Sequence, residues 1–251
     1  MKRQTVGFTI LFLVALLLTV ALTAPANWMA RKVATETGGR VVLADASGTL
    51  WHGSAVVSIG GTPGQPAIAL ALPGRIRWDL AGLAGVGGRF TISGEGIPQP
   101  FDVDLSLAHI RLAPANATIP CELLDAIGGM MQTLALRCQA TIGWQTLSWP
   151  AAPTTPNSGS VSLFNVTSAL AAVRPLGDYR VDWQAAASGT LNYQLSTSAG
   201  ALLLSGQGTW PGGFDGTAQI APSAPPDVRE RLRAMLATLG PPGPAGTLLK
   251  Y

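Results

Sequence analysis

The two histidines are the first residues to consider for acid–base chemistry or metal binding. His52 stands beside Trp51 at the edge of a predicted turn, and His109 continues a predicted strand. Neither belongs to an HxxxH or HExxH pattern, which would place two ligands on one side of a helix. The sequence also contains no GxSxG, Walker or dinucleotide-binding motif. We therefore predict surface or strand-edge histidines, and no metal or cofactor site.

Paired carboxylates can act as general acid and general base, and Asp102 and Asp104 are the best candidates. They lie two residues apart on one face of a predicted strand. That face is the solvated one, where a carboxylate lacks a tuned partner, so both are predicted to be solubilising charges. The glycine-rich stretch 85–88 precedes a strand instead of a helix and no lysine follows it, which indicates a hairpin turn and not a phosphate cradle. An enzyme is therefore the least favoured class of protein.

The cysteines Cys121 and Cys138 are the only two in the chain. An even pair in an exported chain usually forms a disulfide, and a loop of this size contributes about 3 kcal/mol in the chain-entropy model. The bond would join a predicted helix at 121–134 to the strand that begins near Leu136. Two buried free thiols are the alternative. A redox-active pair is not expected without a CxxC spacing.

Tryptophan is frequent for a chain of this length, and aromatic side chains can form a binding face. The seven tryptophans are Trp28, Trp51, Trp78, Trp144, Trp149, Trp183 and Trp210. Most stand in strand-like segments, where such residues more often fill a β core or cover a sheet edge. We predict the core role.

The composition sets the class of fold that must position these residues. The 251 residues are 47% hydrophobic and only 12% charged, and they include 30 glycines and 19 prolines. So much glycine and proline is typical of many short strands joined by turns. The net charge is +3 and the basic residues are spread thinly, so we predict no nucleic-acid partner.

Alternation of apolar and polar residues predicts half-buried strands. It is clearest at 101–107, 179–183 and 191–195. Such segments recur about every 10–14 residues with turn signals between them, which predicts a mainly β fold of antiparallel, meander-type sheets. Short helices are predicted at 167–173 and at 227–239, in addition to the one at 121–134.

The amino terminus predicts one transmembrane helix. Residues 6–24 are almost entirely apolar and follow Lys2 and Arg3, so the start of the chain should stay in the cytoplasm and the remainder should lie outside. A cleaved leader, cut near 24–26, is the alternative. A prepilin-type site after Gly7 is disfavoured, because Phe12 stands where those sequences carry glutamate.

The expected organisation follows from this anchor. Residues 1–26 form a cytoplasmic stub and the anchor, 27–37 a juxtamembrane segment, and 38–251 a periplasmic β-rich domain. The stretch 151–159 is rich in Ala, Pro, Thr and Ser and predicts an exposed loop. It would divide the domain into possible sub-lobes, 38–150 and 160–251.

Two short motifs resemble the type II secretion system protein N family. The segment 46–55 is similar to that family's Gly-x-Leu/Val-Trp-x-Gly-x-Ala pattern, and 174–180 matches a later one. A closing helix that ends at 239–240 adds to the likeness, whereas the loop 151–159 departs from it. The motif residues are Gly48, Leu50, Trp51, Gly53, Gly177 and Tyr179.

The resemblance implies a single-pass inner-membrane protein that assists export of folded proteins from the periplasm, and it carries no catalytic residues. The expected partners are other secretion components, either the outer-membrane secretin or the inner-membrane platform, reached through open strand edges. Two other functions stay open. One is an envelope lipid-handling protein with an AsmA-like β groove, which requires an apolar, uncovered sheet face. The other is a minor pseudopilin.

Overall fold

A computed structural model describes residues 2–59, 70–84, 87–122, 135–150, 156–169, 171–186, 189–243 and 246–250. Three helices are present in this part of the chain: α1 (Lys2–Thr23), α2 (Ala26–Glu36) and α3 (Pro226–Leu239). Among the described residues, no helix meets the combined requirement of length and apolarity for crossing a bilayer.

The first sheet contains eight strands in the order β1-β2-β4-β5-β6-β7-β10, with β3 also paired to β2. Every pair is antiparallel. The strands are β1 (Val41–Gly48), β2 (His52–Ile59), β3 (Leu70–Ala71), β4 (Ile76–Ala84), β5 (Gly87–Gly94), β6 (Ile97–Leu105), β7 (Ile110–Leu112) and β10 (Leu147–Trp149).

The second sheet contains nine strands in the order β16-β17-β15-β14-β13-β12-β11-β9-β8, again all antiparallel. Its strands are β8 (Ala115–Pro120), β9 (Leu136–Trp144), β11 (Ser158–Ser168), β12 (Gly177–Ala185), β13 (Leu191–Gly200), β14 (Leu202–Trp210), β15 (Phe214–Ile220), β16 (Pro242–Gly243) and β17 (Gly246–Lys250). The prediction of a mainly β, antiparallel fold with few short helices is confirmed.

The chain crosses between the two sheets three times, at β7–β8, β9–β10 and β10–β11. The sheets therefore do not coincide with the predicted sub-lobes 38–150 and 160–251. The predicted loop 151–159 is shorter than expected, because Ser158 and Gly159 already pair with β12. Residues 151–155 lie outside the described part of the chain.

The largest core lies between the second sheet and α3. Leu232 and Leu236 of the helix are buried against Tyr179, Leu202 and Ala218 of the sheet. A helix with one apolar stripe gains most of its stability from such packing. The helix starts with proline and ends before Gly240, so the prediction at 227–239 is confirmed.

The helix predicted at 167–173 is wrong. Thr167 and Ser168 belong to β11 and pair with β9, and residues 172–174 form bends. Ala171 and Val173 are buried in the core beside α3, so tertiary packing decides this segment against its weak helical spacing. Of the helix predicted at 121–134, residues 123–134 lie outside the described residues.

A smaller core lies under α2. Ala26 and Met29 of this helix pack with Ala55 and Trp78 of the first sheet. The helix is amphipathic, and it follows α1 after a break at Pro25, which cannot donate a backbone hydrogen bond. The α2 helix thereby joins the N-terminal segment to the body of the protein.

Candidate functional site

The first family motif forms the turn between β1 and β2. The amide of Thr49 donates to the carbonyl of His52 over 2.8 Å and closes this turn. Gly48 has φ of +88°, a conformation that favours glycine. The ring of Trp78 lies directly on Gly53, where a Cβ atom would stand 2.4 Å from the indole. The two glycines therefore allow a tight turn and close packing of a buried tryptophan.

The same turn holds the end of α1. The amide of Leu50 donates to the carbonyl of Ala24 over 2.9 Å, and the indole N–H of Trp51 donates to the carbonyl of Ala21 over 2.7 Å. Pro25 and Thr49 form an isolated β-bridge. Carbonyls in the last turn of a helix have no partner within the helix, so these bonds satisfy groups that would otherwise need water. The motif is thus a structural junction between the N-terminal helix and the sheet.

Replacing Trp51 with alanine should loosen this junction while leaving the sheet intact. The variant loses one hydrogen bond and the packing of an indole, a cost on the order of 1–2 kcal/mol. We expect the amide of Leu50 to exchange hydrogen about 10-fold faster, because 1.4 kcal/mol is one factor of ten in opening. The exposed Trp149 is the control: its replacement by alanine should leave exchange at Leu50 unchanged. Equal exchange in both variants would contradict the assigned role.

The second family motif lies inside the core of the second sheet. Tyr179 is 4% exposed and its hydroxyl donates to the carbonyl of Leu202 over 3.0 Å. Burial, with a smaller contribution from Asp178, raises the pKa of the Tyr179 hydroxyl well above its ordinary value. Gly177 pairs with Gly200 at the adjoining end of β12. These residues have a packing role and offer no chemistry to a substrate.

Replacing Tyr179 with phenylalanine should lower the free energy of unfolding at pH 7 by about 1–2 kcal/mol, since the carbonyl of Leu202 loses its partner. The raised pKa has a second consequence. The unfolded tyrosine ionises near pH 10 whereas the folded one resists, so this residue's contribution is complete below about pH 10 and declines above it. The difference between wild type and variant should therefore shrink from pH 9 to pH 11 in urea unfolding. Tyr193→Phe provides the control.

The titratable residues considered in the sequence do not form a reaction centre. His52 Nδ1 lies 3.2 Å from a carboxylate oxygen of Asp79, both exposed, and His109 Nδ1 lies 2.9 Å from the hydroxyl of Ser106. The guanidinium of Arg89 hydrogen-bonds Asp104 over 2.8 Å and lowers the pKa of that carboxyl. Each is a local surface contact. No group of three metal-binding side chains occurs among the residues that the structure describes.

Cys121 and Cys138 stand as a bonded pair, with their Cα atoms 5.1 Å apart. Cys121 is fully buried and packs with Ala140 and Ile119 at the end of β8. The pairing proposed from the sequence stays a prediction with a direct chemical test. The purified protein should resist alkylation until a reductant is added, and then gain two alkyl groups by mass. Labelling of both thiols without reductant would exclude the bond.

The tryptophans divide between core and surface. Trp78 is buried, Trp51, Trp144 and Trp183 are half-buried, and three others are exposed: Trp28 (53%), Trp149 (73%) and Trp210 (67%). The prediction that the tryptophans belong to the core is therefore confirmed for Trp78 but not for the three exposed ones.

A broad open groove of about 1310 Å³ runs along the second sheet. The floor of the groove includes a row of residues, one from each of eight strands, in which each residue is paired with the next across the sheet. The row consists of Asn116, Gly143, Ser160, Asp182, Gln194, Gln207, Asp215 and Lys250. Arg180 pairs with Asp182 over 2.8 Å, and Lys250 with Asp215 over 3.6 Å, so the charges in the groove are largely balanced. Amides, hydroxyls and paired ions are suited to a polar ligand or a polypeptide.

No sequence pattern predicted this groove. The feature of the sequence that contributes to the groove is the alternation of polar and apolar residues in β12, β13 and β14. Alternation separates the two faces of each strand, but only the register aligns one polar residue from each strand into a continuous surface.

Comparison with known proteins gives one family. The family model of type II secretion system protein N matches residues 39–248. Neither the curated proteins nor the solved structures include a match to the chain. The matched range covers most of the 251 residues and contains both motifs described above. The chain therefore belongs to the type II secretion system protein N family.

Proposed function

We propose that this chain is a non-enzymatic accessory component of the type II protein secretion system. It is held in the inner membrane by its N-terminal helix, and its β-rich body lies in the periplasm. There it assists export of folded proteins through protein–protein contacts. The observation that carries the proposal is the family match over residues 39–248.

Support for the anchor comes from the sequence and from exposure. Residues 6–24 are apolar and follow two basic residues. Apolar side chains of α1 are exposed on several sides: Leu11, Phe12, Leu13, Val14, Leu16, Val20 and Leu22 are 45–68% exposed. An uncovered apolar helix in water is costly, because each buried CH₂ is worth about 0.8 kcal/mol. A lipid environment removes that cost.

The two edges of the first sheet, β1 and β10, are poorly suited to pairing with a partner. The β1 edge is interrupted by a bulge at 44–47, where Arg75 contacts Asp45. In β10 the side chain of Asn157 bonds both the amide and the carbonyl of Ser148, over 2.8 and 3.0 Å. Bulges, charges and side-chain caps are the usual means of blocking edge pairing. Strand addition, which the sequence analysis expected at open edges, therefore has little support at the first sheet.

The polar groove of the second sheet is the better candidate for the contact with the secretin or the inner-membrane platform. Its glutamines and asparagines present both donors and acceptors, which match the backbone of a polypeptide. A pull-down with the double variant Gln194→Arg/Gln207→Arg should recover at least several-fold less of any secretion component than wild type. Gln219→Arg, on the same face of β15 but outside the groove, is the matched control. Equal recovery of secretion components by the groove variant and by wild type would show that the contact lies outside the groove.

Deletion of the gene tests the function itself. Export of a secreted hydrolase should fall, and the enzyme should accumulate in the periplasm, with recovery on re-expression of the full chain. Membrane fractionation and protease protection would report the anchor and its orientation. Unchanged export in the deletion strain, under conditions where the secretin is required, would contradict the proposal.

The rival, an AsmA-like lipid-handling trough, needs an open groove lined by apolar side chains. Most side chains that line the broad groove of the second sheet are polar, although Trp144, Trp183, Tyr193 and Phe214 also line it, so this groove is not an apolar trough. Lipid mass spectrometry on the purified protein separates the two. Stoichiometric lipid that survives exchange into lipid-free detergent would favour the rival.

A further inference from the structure

We propose that a row of exposed apolar side chains on the first sheet rests on the membrane surface beside the anchor. We name it the apolar rim, and it consists of Leu83, Leu105, Leu107, Ile110 and Trp149. The rim would be a second membrane contact, in addition to the N-terminal helix. This inference depends on the proposed function, in which that helix is the membrane anchor.

The register of the first sheet builds the rim. Leu83 is opposite Gly88, which is opposite Leu105, and Leu105 is opposite Ile110. Ile110 is in turn opposite Trp149 of β10. Cross-strand neighbours point to the same face, so the side chains of Leu83, Leu105, Ile110 and Trp149 share one face, with Gly88 of β5 between the first two. Leu107 lies outside this register, in the turn between β6 and β7 at the same end of the sheet. A register shift between Leu80 and Gly82 keeps Leu83 on this face.

The rim concentrates the exposed apolar residues of the body. Outside the helices, the described large apolar side chains that are exposed number eight, and five of them form the rim. Leu83, Leu107 and Trp149 are 77, 91 and 73% exposed, and the other two are near 40%. Exposed apolar residues scattered singly need no explanation, but a group of them at one end of a sheet indicates a contact surface.

The rim lies at the end of the sheet that carries the α1 junction. His52, just after the junction turn, is opposite Asp79 of β4, and the amide of Leu80 donates to the carbonyl of Trp51 over 2.8 Å. Beyond Leu80, β4 continues only a few residues to Leu83. The ends of β6 and β10 and the start of β7 lie at this same end of the sheet. The anchor and the rim thus leave the body on one side.

The course of α2 supports this orientation. It begins at the junction and ends at Glu36, after which Thr37 bonds the backbone of Val41 at the opposite end of β1. Helix α2 therefore runs back along the sheet, whereas α1 leaves from the rim end with its described apolar side chains exposed.

The chemistry of the rim fits the lipid–water boundary. Leucine and isoleucine gain by entering the outer acyl region, and an indole favours headgroup depth. The charges on the opposite face are compatible with this position: Arg89 is paired with Asp104, and Arg111 is the residue opposite Asp104 in β7. Long arginine side chains at that depth can reach the headgroups.

Spin labels in the full chain in phospholipid nanodiscs test the proposal. Once the alkylation test described above has established the bond between Cys121 and Cys138, the variants Leu107→Cys, Leu83→Cys, Val42→Cys and Leu16→Cys can each be labelled singly. Leu107 and Leu83 report the rim. Val42, 37% exposed on the same sheet, is the control. It lies near the start of β1, about 20 Å along that strand from Gly48 at the junction end. Leu16 reports α1. Accessibility to oxygen relative to a water-soluble nickel complex measures depth.

We expect a several-fold higher oxygen-to-nickel ratio at the two rim positions than at Val42, and the highest ratio at Leu16. A high ratio at Leu16 with water-like values at both rim positions would overturn the rim proposal alone. A water-like value at Leu16 would contradict the anchor, and the proposed function with it. Similar intermediate values at the rim and at Val42 would also overturn the proposal, because they would place the two ends of the sheet at one depth.

Discussion

Replacing Gly200 with alanine is expected to lower the free energy of unfolding by about 4 kcal/mol. The residue has φ of +131°, and a Cβ atom there would lie 2.3 Å from the Cα atom of Gly177 and 2.6 Å from the carbonyl oxygen of Leu176. All of these neighbours are backbone atoms, so no side chain can rotate away. The paired ends of β12 and β13 would have to separate, next to the buried ring of Tyr179.

Two matched variants separate the causes of this effect. Gly189→Ala meets no atom within 4 Å but has φ of +82°, so it isolates the conformational cost, about 1 kcal/mol. Gly82→Ala meets no atom and has no such φ, and it should change stability by less than about 0.5 kcal/mol. Urea unfolding followed by tryptophan fluorescence measures all three. A Gly200 variant no less stable than the Gly189 variant would disprove the close approach of the two strands.

Replacing Leu232 with alanine is expected to cost about 3–4 kcal/mol. This side chain of α3 is 1% exposed and lies in the main core with Leu202, Ala218 and Leu249. Truncation removes the transfer free energy of the lost atoms and leaves a cavity that a rigid sheet cannot close. The helix would also lose one of its two buried leucine contacts with the second sheet, the other being that of Leu236.

The control for this variant is Leu107→Ala, the same chemical change at a side chain that is 91% exposed. Its effect on the free energy of unfolding should stay within about 0.5 kcal/mol. Denaturation midpoints with unchanged m-values would show that stability, and not compactness, has changed. A cost below about 1 kcal/mol at Leu232 would mean that α3 does not cover the sheet.

The strands were predictable because alternation is a local property. The pattern at 101–107 predicts a strand with one polar face, and the structure places Asp102 and Asp104 together on one face of β6, where both are half-buried and hydrogen-bonded. The prediction fails at its end, because β6 stops at Leu105 and Leu107 is 91% exposed in the turn that follows. Pro226 and Gly240 mark the ends of α3 for a similarly local reason, since proline suits the first turn of a helix and glycine often follows the last. The segment 167–173 misled because its small and apolar residues fit a helix and a buried bend equally well.

The family motifs illustrate a different limit. Gly48 and Trp51 are recognisable as a pattern in the sequence, but the hydrogen bond of Trp51 is made to the carbonyl of Ala21, 30 positions earlier. In the same way, Tyr179 could be named from its motif, whereas its bond to Leu202 requires the fold of three strands. The spacing of residues along the chain does not predict such distant hydrogen-bond partners.

The sequence by itself determined the class of fold, the two faces of its clearest strands, the closing helix and the apolar character of the amino terminus. All of these follow from neighbours within a few residues. Only the tertiary structure decided the register, and with it the polar groove and the apolar rim, because a shift of one residue would exchange the faces of a strand. Register is set by the packing of whole faces against one another, such as α3 on the second sheet, and that packing is a property of distant residues acting together.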